Sequence, residues 1–274
     1  MSWVDDFLRE DVGEGDITTL ALVGDEVGTA RVRANEMCVL AGLAEAAEVL
    51  CRLGLKVTPL AKDGETVAAG ANVLSVEGPL RAILTGERLA LNLLMRMSGV
   101  ATATYDVVHA CRKRNPAVRV AATRKTTPGF RRFEKKAVAL GGGDPHRFGL
   151  DDAILIKDNH LAVVGSITEA VRRARHVSFT KKIEVEVESR EGAEEAARAG
   201  ADIILLDNMS PTEAALCAEA ARRIDGRVII EASGGITPDN APDFAEAVDV
   251  ISLGWITHSA RAVQFTLDVL EVKG

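Results

Sequence analysis

Six short stretches hold the side chains able to do chemistry, and each lies in or just beyond an apolar run. Thr123-Arg124-Lys125-Thr126-Thr127-Pro128-Gly129 follows residues 118–121, and Lys157-Asp158-Asn159-His160 follows 153–156. Glu184 and Glu186 alternate with Ile183, Val185 and Val187, and Asp207-Asn208 closes 203–206. Glu231-Ala232-Ser233-Gly234-Gly235 follows 228–230, and Ser252-Leu253-Gly254-Trp255 ends 248–251. Cations come early, carboxylates in the middle and glycines last, so each class suits a different part of one ligand.

The glycine stretch Ser233-Gly234-Gly235-Ile236-Thr237-Pro238 reads as a strand end, a turn and a helix start. Bare backbone N–H groups at such a place favour an anion, and a phosphate is the expectation, against a plain tight turn. Gly254 stands at the next strand end, as a phosphate site built from the last two strands requires. Glu184 and Glu186 share one face of a strand because side chains alternate with period two. With Asp207 one strand on, they suit Mg²⁺ held through waters and substrate oxygens. An internal salt bridge to Lys or Arg is an equally good reading. From Arg124 to His160 there are eight Lys or Arg against five Asp or Glu, in a chain of net charge -7. That local excess suggests a polyanionic substrate, and arginine suits carboxylate or phosphate. Arg124, Lys125 and Lys157 sit directly after strands and read as functional. Arg131, Arg132, Lys135 and Lys136 read as a solvated helix face. Gly141-Gly142-Gly143-Asp144-Pro145-His146-Arg147 reads as a flexible loop near the mouth of the site. His109 and His176 read as helix-surface residues.

The elements that must position these residues follow from the apolar rhythm. In the second half, six strand-like runs alternate with Ala-rich helical stretches at 166–176, 190–199, 211–223 and 238–247. Strand–helix alternation at this spacing predicts a parallel sheet with helical crossovers. No Gly-x-Gly-x-x-Gly follows a strand and no Walker A sequence occurs, which lowers a nucleotide-binding doubly wound sheet. Polar residues at the strand ends favour a barrel, whose chemistry gathers at the strands' C-terminal ends. The first hundred residues differ. Residues 27–39 read as a strand pair or one bent strand, 40–53 as a helix, and 57–76 as short strands with turns. A long helical pattern runs from Pro79 to about Arg112, with Ser98-Gly99 as the place where it could break. The expected organisation is an α/β domain over 1–103, with 260–274 packing on it, and a barrel domain over 104–259.

The chain has 274 residues, 47% hydrophobic and 27% charged, an ordinary globular balance with ample material for a core. Its acidic net charge argues against general nucleic-acid binding. No apolar run of about 18 residues predicts a membrane span. The acidic, amphipathic start is unlike a signal peptide. Cys38, Cys51, Cys111 and Cys217 lie far apart, which argues against a thiolate zinc site and for reduced thiols in the cytoplasm.

Several stretches together resemble the quinolinate phosphoribosyltransferase family: residues 96–104, 123–129, 141–149, 155–160, 205–208, 231–235 and 257–260. The resemblance runs nearly end to end. It implies an N-terminal α/β sandwich domain, an incomplete parallel α/β barrel, and a homodimer or an assembly of dimers. It implies phosphoribosyl transfer from phosphoribosyl pyrophosphate (PRPP) to quinolinate, giving nicotinate mononucleotide, pyrophosphate and CO₂ in NAD biosynthesis, with Mg²⁺ as cofactor. By motif position, Arg124, His146, Arg147 and Lys157 would line the quinolinate pocket, and Arg88 would reach it from the neighbouring subunit. Lys125 would contact the phosphorylated substrate, while Glu186 and Asp207 would bind the ribose hydroxyls and the metal. Ser233, Gly234, Gly235, Gly254 and His258 would surround the 5′-phosphate. Lys157 or His160 could assist decarboxylation. The chain departs from the common bacterial pattern at Ala122, at Asp144-Pro145 and at Trp255. ModD-like proteins share the Thr-Arg-Lys-Thr region and act on another base, but the intact Leu155-Ile156-Lys157-Asp158-Asn159-His160 favours quinolinate. A non-catalytic phosphate- or nucleotide-binding module is a third reading.

Overall fold

The computed structural model of the protein describes residues 2–273. Met1 and Gly274, the outermost residues of the expected segments 1–103 and 260–274, lie outside the described residues. In chain order the first elements are α1 (Trp3–Val12), α2 (Ile17–Leu22), β1 (Val27–Ala34), β2 (Cys38–Val39), α3 (Leu43–Arg52), β3 (Lys56–Pro59), β4 (Thr66–Val67), β5 (Asn72–Pro79) and α4 (Leu80–Arg114). Then come β6 (Arg119–Ala121), α5 (Arg131–Leu140), β7 (Ile154–Ile156), α6 (Asp158–Val164), α7 (Ile167–Arg175), β8 (Ile183–Val187), α8 (Arg190–Ala199), β9 (Ile203–Asp207), α9 (Pro211–Ile224), β10 (Ile229–Ser233), α10 (Ala241–Phe244), β11 (Val250–Ser252), α11 (Trp255–His258) and β12 (Phe265–Lys273). The described residues form two compact units, 2–103 with 260–273, and 104–259.

The first unit holds a four-stranded antiparallel sheet in the order β12-β1-β5-β3. Along β1 burial alternates, with Ala30, Val32 and Ala34 covered, as a sheet packed on one face requires. Leu43, Ala46, Val49 and Leu50 of α3, and Ile83, Leu91 and Leu94 of α4, are buried apolar side chains of the same unit. The 27–39 segment is two separate strands, since β2 pairs with β4 in a two-stranded sheet of its own. Ser98-Gly99 does not break α4, which runs unbroken for 35 residues. Ser98 Oγ is satisfied by the backbone of Ala41. A Cβ on Gly99 would lie 2.1 Å from the carbonyl oxygen of Arg261, so this glycine admits a crossing chain.

The second unit is a six-stranded parallel sheet in the order β6-β11-β10-β9-β8-β7. The strands follow one another round the sheet, and only the neighbours β6 and β7 fail to pair, so the barrel is incomplete at one seam. Ile183, Val185, Ile204, Leu206 and Ile230 are buried strand residues, and Ala193, Ala196, Ala197, Ala214, Ala218 and Ala221 are buried in α8 and α9. The small alanines let these helices lie close to the strands. Residues 238–247, expected as a helix, yield only the four-residue α10, because Pro238 and Pro242 each remove a backbone donor. No helix of the described residues is long and apolar enough to cross a membrane.

Candidate active site at the barrel mouth

A cleft of about 430 Å³ opens at the C-terminal ends of the barrel strands. Its lining shows the period of two directly: Glu186 of β8, Leu205 and Asp207 of β9, Glu231 and Ser233 of β10, and Ser252 of β11. Glu184, two residues below Glu186, shares that inward face and is buried. Thr123, Arg124, Lys125, His146, Arg147, Leu155, Lys157, Asn208, Gly234 and Gly235 complete the wall. Ten of the expected site residues therefore meet in one cavity: Arg124, Lys125, His146, Arg147, Lys157, Glu186, Asp207, Ser233, Gly234 and Gly235.

The open seam explains the cationic wall. Asp144 forms a parallel bridge with Ala121, on the edge of β6. Its N–H donates to Val120 O at 2.7 Å, and its carbonyl accepts from Ala122 N at 2.9 Å. One residue thus acts as a fragment of strand in the seam and delivers His146 and Arg147 into the cleft. His146 adopts φ 53°, an uncommon conformation that turns the chain there. Arg124 carries a buried Nε with no hydrogen-bond partner among the described residues, a donor facing an uncompensated desolvation. Burial, then the nearby Arg124, hold the Arg147 guanidinium below its ordinary value.

Below this wall sit two buried carboxylates, Glu184 and Glu231, with side chains 1% and 2% exposed. His146 Nε2 lies 3.4 Å from Glu231 and 3.7 Å from Glu184. The hydrogen bond to Glu231 raises the imidazole above its usual value despite burial. Burial, then the charge of Glu231, push Glu184 up to about 8. The result is an imidazole held over two carboxylates, with its charged form favoured by Glu231. Among the described residues this is the one group of three His, Cys, Asp or Glu side chains whose ligand atoms lie within 4.8 Å of one another. His146 bridges the two carboxylates, while Glu184 Oε1 is buried with no hydrogen-bond partner among the described residues.

The remaining carboxylates behave differently. Glu186 is ion-paired with Lys157, so the salt-bridge reading holds for this residue as it stands. Asp207 is half-buried and accepts from Asn208 Nδ2 at 2.7 Å. Two carboxylates on neighbouring strands are hard oxygen donors that fit Mg²⁺, provided Lys157 releases Glu186. The glycine turn is narrower still. Gly234 and Gly235 have φ 84° and 62°, and a Cβ on Gly234 would lie 2.6 Å from the backbone N of Asn208. Asn240 braces this turn, accepting from Thr237 N at 2.8 Å. With α10 only four residues long, any anion here depends on the turn's own N–H groups, not on a helix end.

Other expectations fall outside the cavity or change role. Gly254 and His258 do not line it, although a Cβ on Gly254 would lie 3.0 Å from both the His258 ring and the Lys125 side chain. Arg88 lies in the other unit, exposed beside Glu87. His160 is exposed, and its Nδ1 accepts the Lys157 N–H at 2.9 Å, which caps α6 and fixes where Lys157 starts from. The solvated-face reading fails for two residues of α5. Arg131 Nε donates to Thr126 Oγ1 at 2.9 Å, and Lys135 is buried. Glu184 was expected as a candidate Mg²⁺ ligand and Glu231 stood in a chemistry-bearing stretch, but neither was assigned to His146, and Lys135 was read as solvated. Strand period places both glutamates on the inward face, each two residues before a cleft residue, but does not show that they meet His146. Nothing in the helical pattern of 131–140 marks Lys135.

Residues 100–268 match the family model described as quinolinate phosphoribosyl transferase, C-terminal domain, and residues 16–98 match the N-terminal domain of the same family. The chain is 49% identical over 280 residues, covering all of both chains, to a protein of Methanothermobacter thermautotrophicus named probable nicotinate-nucleotide pyrophosphorylase (carboxylating). It is 42% identical to the human nicotinate-nucleotide pyrophosphorylase (carboxylating), over 96% of this chain and 89% of the human one. The crystal structure of NadC from Streptococcus pyogenes superposes with a TM-score of 0.91 at 41% identity, covering 98% of this chain and 96% of that one.

Proposed function

We propose how this site works from an established premise: the chain belongs to the quinolinate phosphoribosyltransferase family. It transfers the phosphoribosyl group of PRPP to quinolinate and releases CO₂ and pyrophosphate, forming nicotinate mononucleotide in NAD biosynthesis. The observation that carries the residue assignment is the convergence of Arg124, His146, Arg147 and Lys157 on the cavity that also holds the Gly234-Gly235 turn.

Quinolinate is a planar dianion with a carboxylate beside its ring nitrogen. Arg124 and Arg147 present forked donors, and His146 an imidazole whose charged form Glu231 favours, to those carboxylates. Held so, the nitrogen is aimed at C1′ of the ribose. The C1′–O bond to pyrophosphate breaks as the N–C1′ bond forms, leaving positive charge on the ring nitrogen. The C2–carboxylate bond then breaks: CO₂ departs, the electron pair stays on C2 as a carbanion stabilised by the adjacent positive ring nitrogen, and C2 takes up a proton. Position and charge supply most of the rate, with no protein nucleophile needed. The Gly234 and Gly235 N–H groups, with Ser233, Gly254 and His258 nearby, would seat the 5′-phosphate, and Lys125 would reach the phosphorylated substrate. Glu186 and Asp207 would hold the ribose hydroxyls and Mg²⁺, which when bound offsets the negative charge of the leaving pyrophosphate. We assign Arg88 to the quinolinate pocket of the neighbouring subunit in a homodimer, and the cytoplasm as the compartment. The four free, well-separated cysteines support that compartment.

The test is a parallel assay with quinolinate, nicotinate and nicotinamide, each with PRPP, with and without Mg²⁺. Release of CO₂ and pyrophosphate from quinolinate alone, dependent on both PRPP and Mg²⁺, is the expected result. No quinolinate turnover under these conditions refutes the assignment, and turnover of another base instead would indicate a ModD-like transferase.

A further inference from the structure

Lys135 is among the largest side chains of this protein that are fully buried, at 2% exposure, and the mechanism above does not use it. It stands on α5 among the buried residues Phe133, Ala137 and Val138. Its Nζ donates to Ala122 O at 3.2 Å and to Pro145 O. Both acceptors are informative. Ala122 lies at the end of β6, two residues before Arg124, and Pro145 immediately precedes His146-Arg147. The backbone already joins these segments through Asp144, but that ladder stops at the Ala122 N–H. The lysine ties them together one step further on, where the cationic residues begin. Its helix neighbour Glu134 works on the same loop from its far end, accepting from the N–H and the hydroxyl of Thr127, each at 3.0 Å.

A purely structural tie would need no charge. Burial, with Arg131, Arg124 and Arg147 as like-charged neighbours, pulls this lysine down to about 8. An ammonium offers donors in several directions, which lets one side chain hold two diverging carbonyls at once. We propose that Lys135 is a positioning residue for the pyridine dicarboxylate: its buried ammonium ties the β6 end to the Pro145 loop and so sets the spacing between Arg124 and the His146-Arg147 pair. This rests on the assignment of those three residues to quinolinate.

The experiment compares Lys135→Met with Val171→Ala, a core truncation on α7 that removes buried apolar contact far from these loops in sequence. KM for each substrate and kcat are measured with the other substrate saturating, alongside thermal unfolding. Lys135→Met is expected to raise KM for quinolinate at least tenfold while leaving KM for PRPP within twofold, whereas Val171→Ala lowers stability without moving that ratio. If Lys135→Met fails to fold, Lys135→Gln keeps two donors on a shorter arm, and at least a threefold quinolinate-specific rise is expected. A variant that shifts both KM values alike, or only stability, overturns the inference. Wild-type protein that turns over no quinolinate removes the proposed function first, so the two failures are distinguishable.

Discussion

Replacing Gly234 by alanine tests whether the glycine turn is a phosphate seat. At φ 84° an L-residue pays about 1–2 kcal/mol for the left-handed conformation. The added Cβ would also meet Asn208 at three atoms, with Oδ1 at 2.4 Å, the backbone N at 2.6 Å and Cγ at 2.7 Å. The side-chain atoms could swing away, but the backbone N cannot, because it donates to Ser233 O at 3.0 Å. The turn must therefore move, and its N–H groups lose their aim. A hydrogen bond to a charged group is worth about 1.5–3 kcal/mol, so each lost phosphate contact lowers kcat/KM for PRPP roughly 10- to 150-fold. Gly235 provides the internal control. At φ 62° its Cβ meets only Asn208 Oδ1, at 4.0 Å, so Gly235→Ala incurs the conformational cost alone. Asn208→Gly should not rescue Gly234→Ala, since the clash with the backbone remains. The assay is steady-state turnover at varied PRPP with quinolinate saturating, plus calorimetric unfolding. If Gly234→Ala keeps kcat/KM for PRPP within twofold of wild type, or if Gly235→Ala is the more damaging, the reasoning from the turn is wrong.

Arg124→Ala should raise KM for quinolinate far more than KM for PRPP, because it removes a carboxylate partner whose Nε is already desolvated; a larger effect on PRPP would mean the residue is misplaced. The ring protons of His146, followed by NMR, should titrate above the usual value of about 6.5, and Glu231→Gln should lower the midpoint. Because the folded value is the raised one, His146 contributes stability that is fully present below about pH 6.5 and is lost as pH rises through the folded midpoint; a midpoint unchanged by Glu231→Gln would remove the pairing. Mixing Arg88→Ala subunits with Lys157→Ala subunits should restore part of the activity if Arg88 serves the neighbouring subunit, whereas no complementation places it elsewhere.

Much of the catalytic unit was readable from pattern alone. Apolar runs at regular spacing marked all six strands of the parallel sheet to within three residues at either end, because a strand buried on both faces leaves little room for other residues. Strand ends then named the cleft, since parallel strands in one sheet all bring their C-terminal residues to the same edge. The same logic fell short at the helical stretch 238–247, where Ala spacing pointed to a helix and two prolines allowed four residues. It also misjudged α5: four cations in six residues look solvated in sequence, yet Lys135 and Arg131 turn inward to loop carbonyls and a hydroxyl.

What the sequence by itself determined about this protein is the inventory and its order along the chain: cations after the first two barrel strands, carboxylates in the middle, glycines after the last two. Local spacing suffices for that, because strand period and turn chemistry act over a few residues. Only the tertiary structure decided which of these groups meet. The open seam between β6 and β7 let a single residue, Asp144, join the sheet and carry His146 over Glu184 and Glu231, side chains 38 and 85 positions away in the chain. At that junction, which no local pattern encodes, burial raises Glu184, the hydrogen bond to Glu231 raises His146 despite burial, and Lys135 is enclosed beneath the loops.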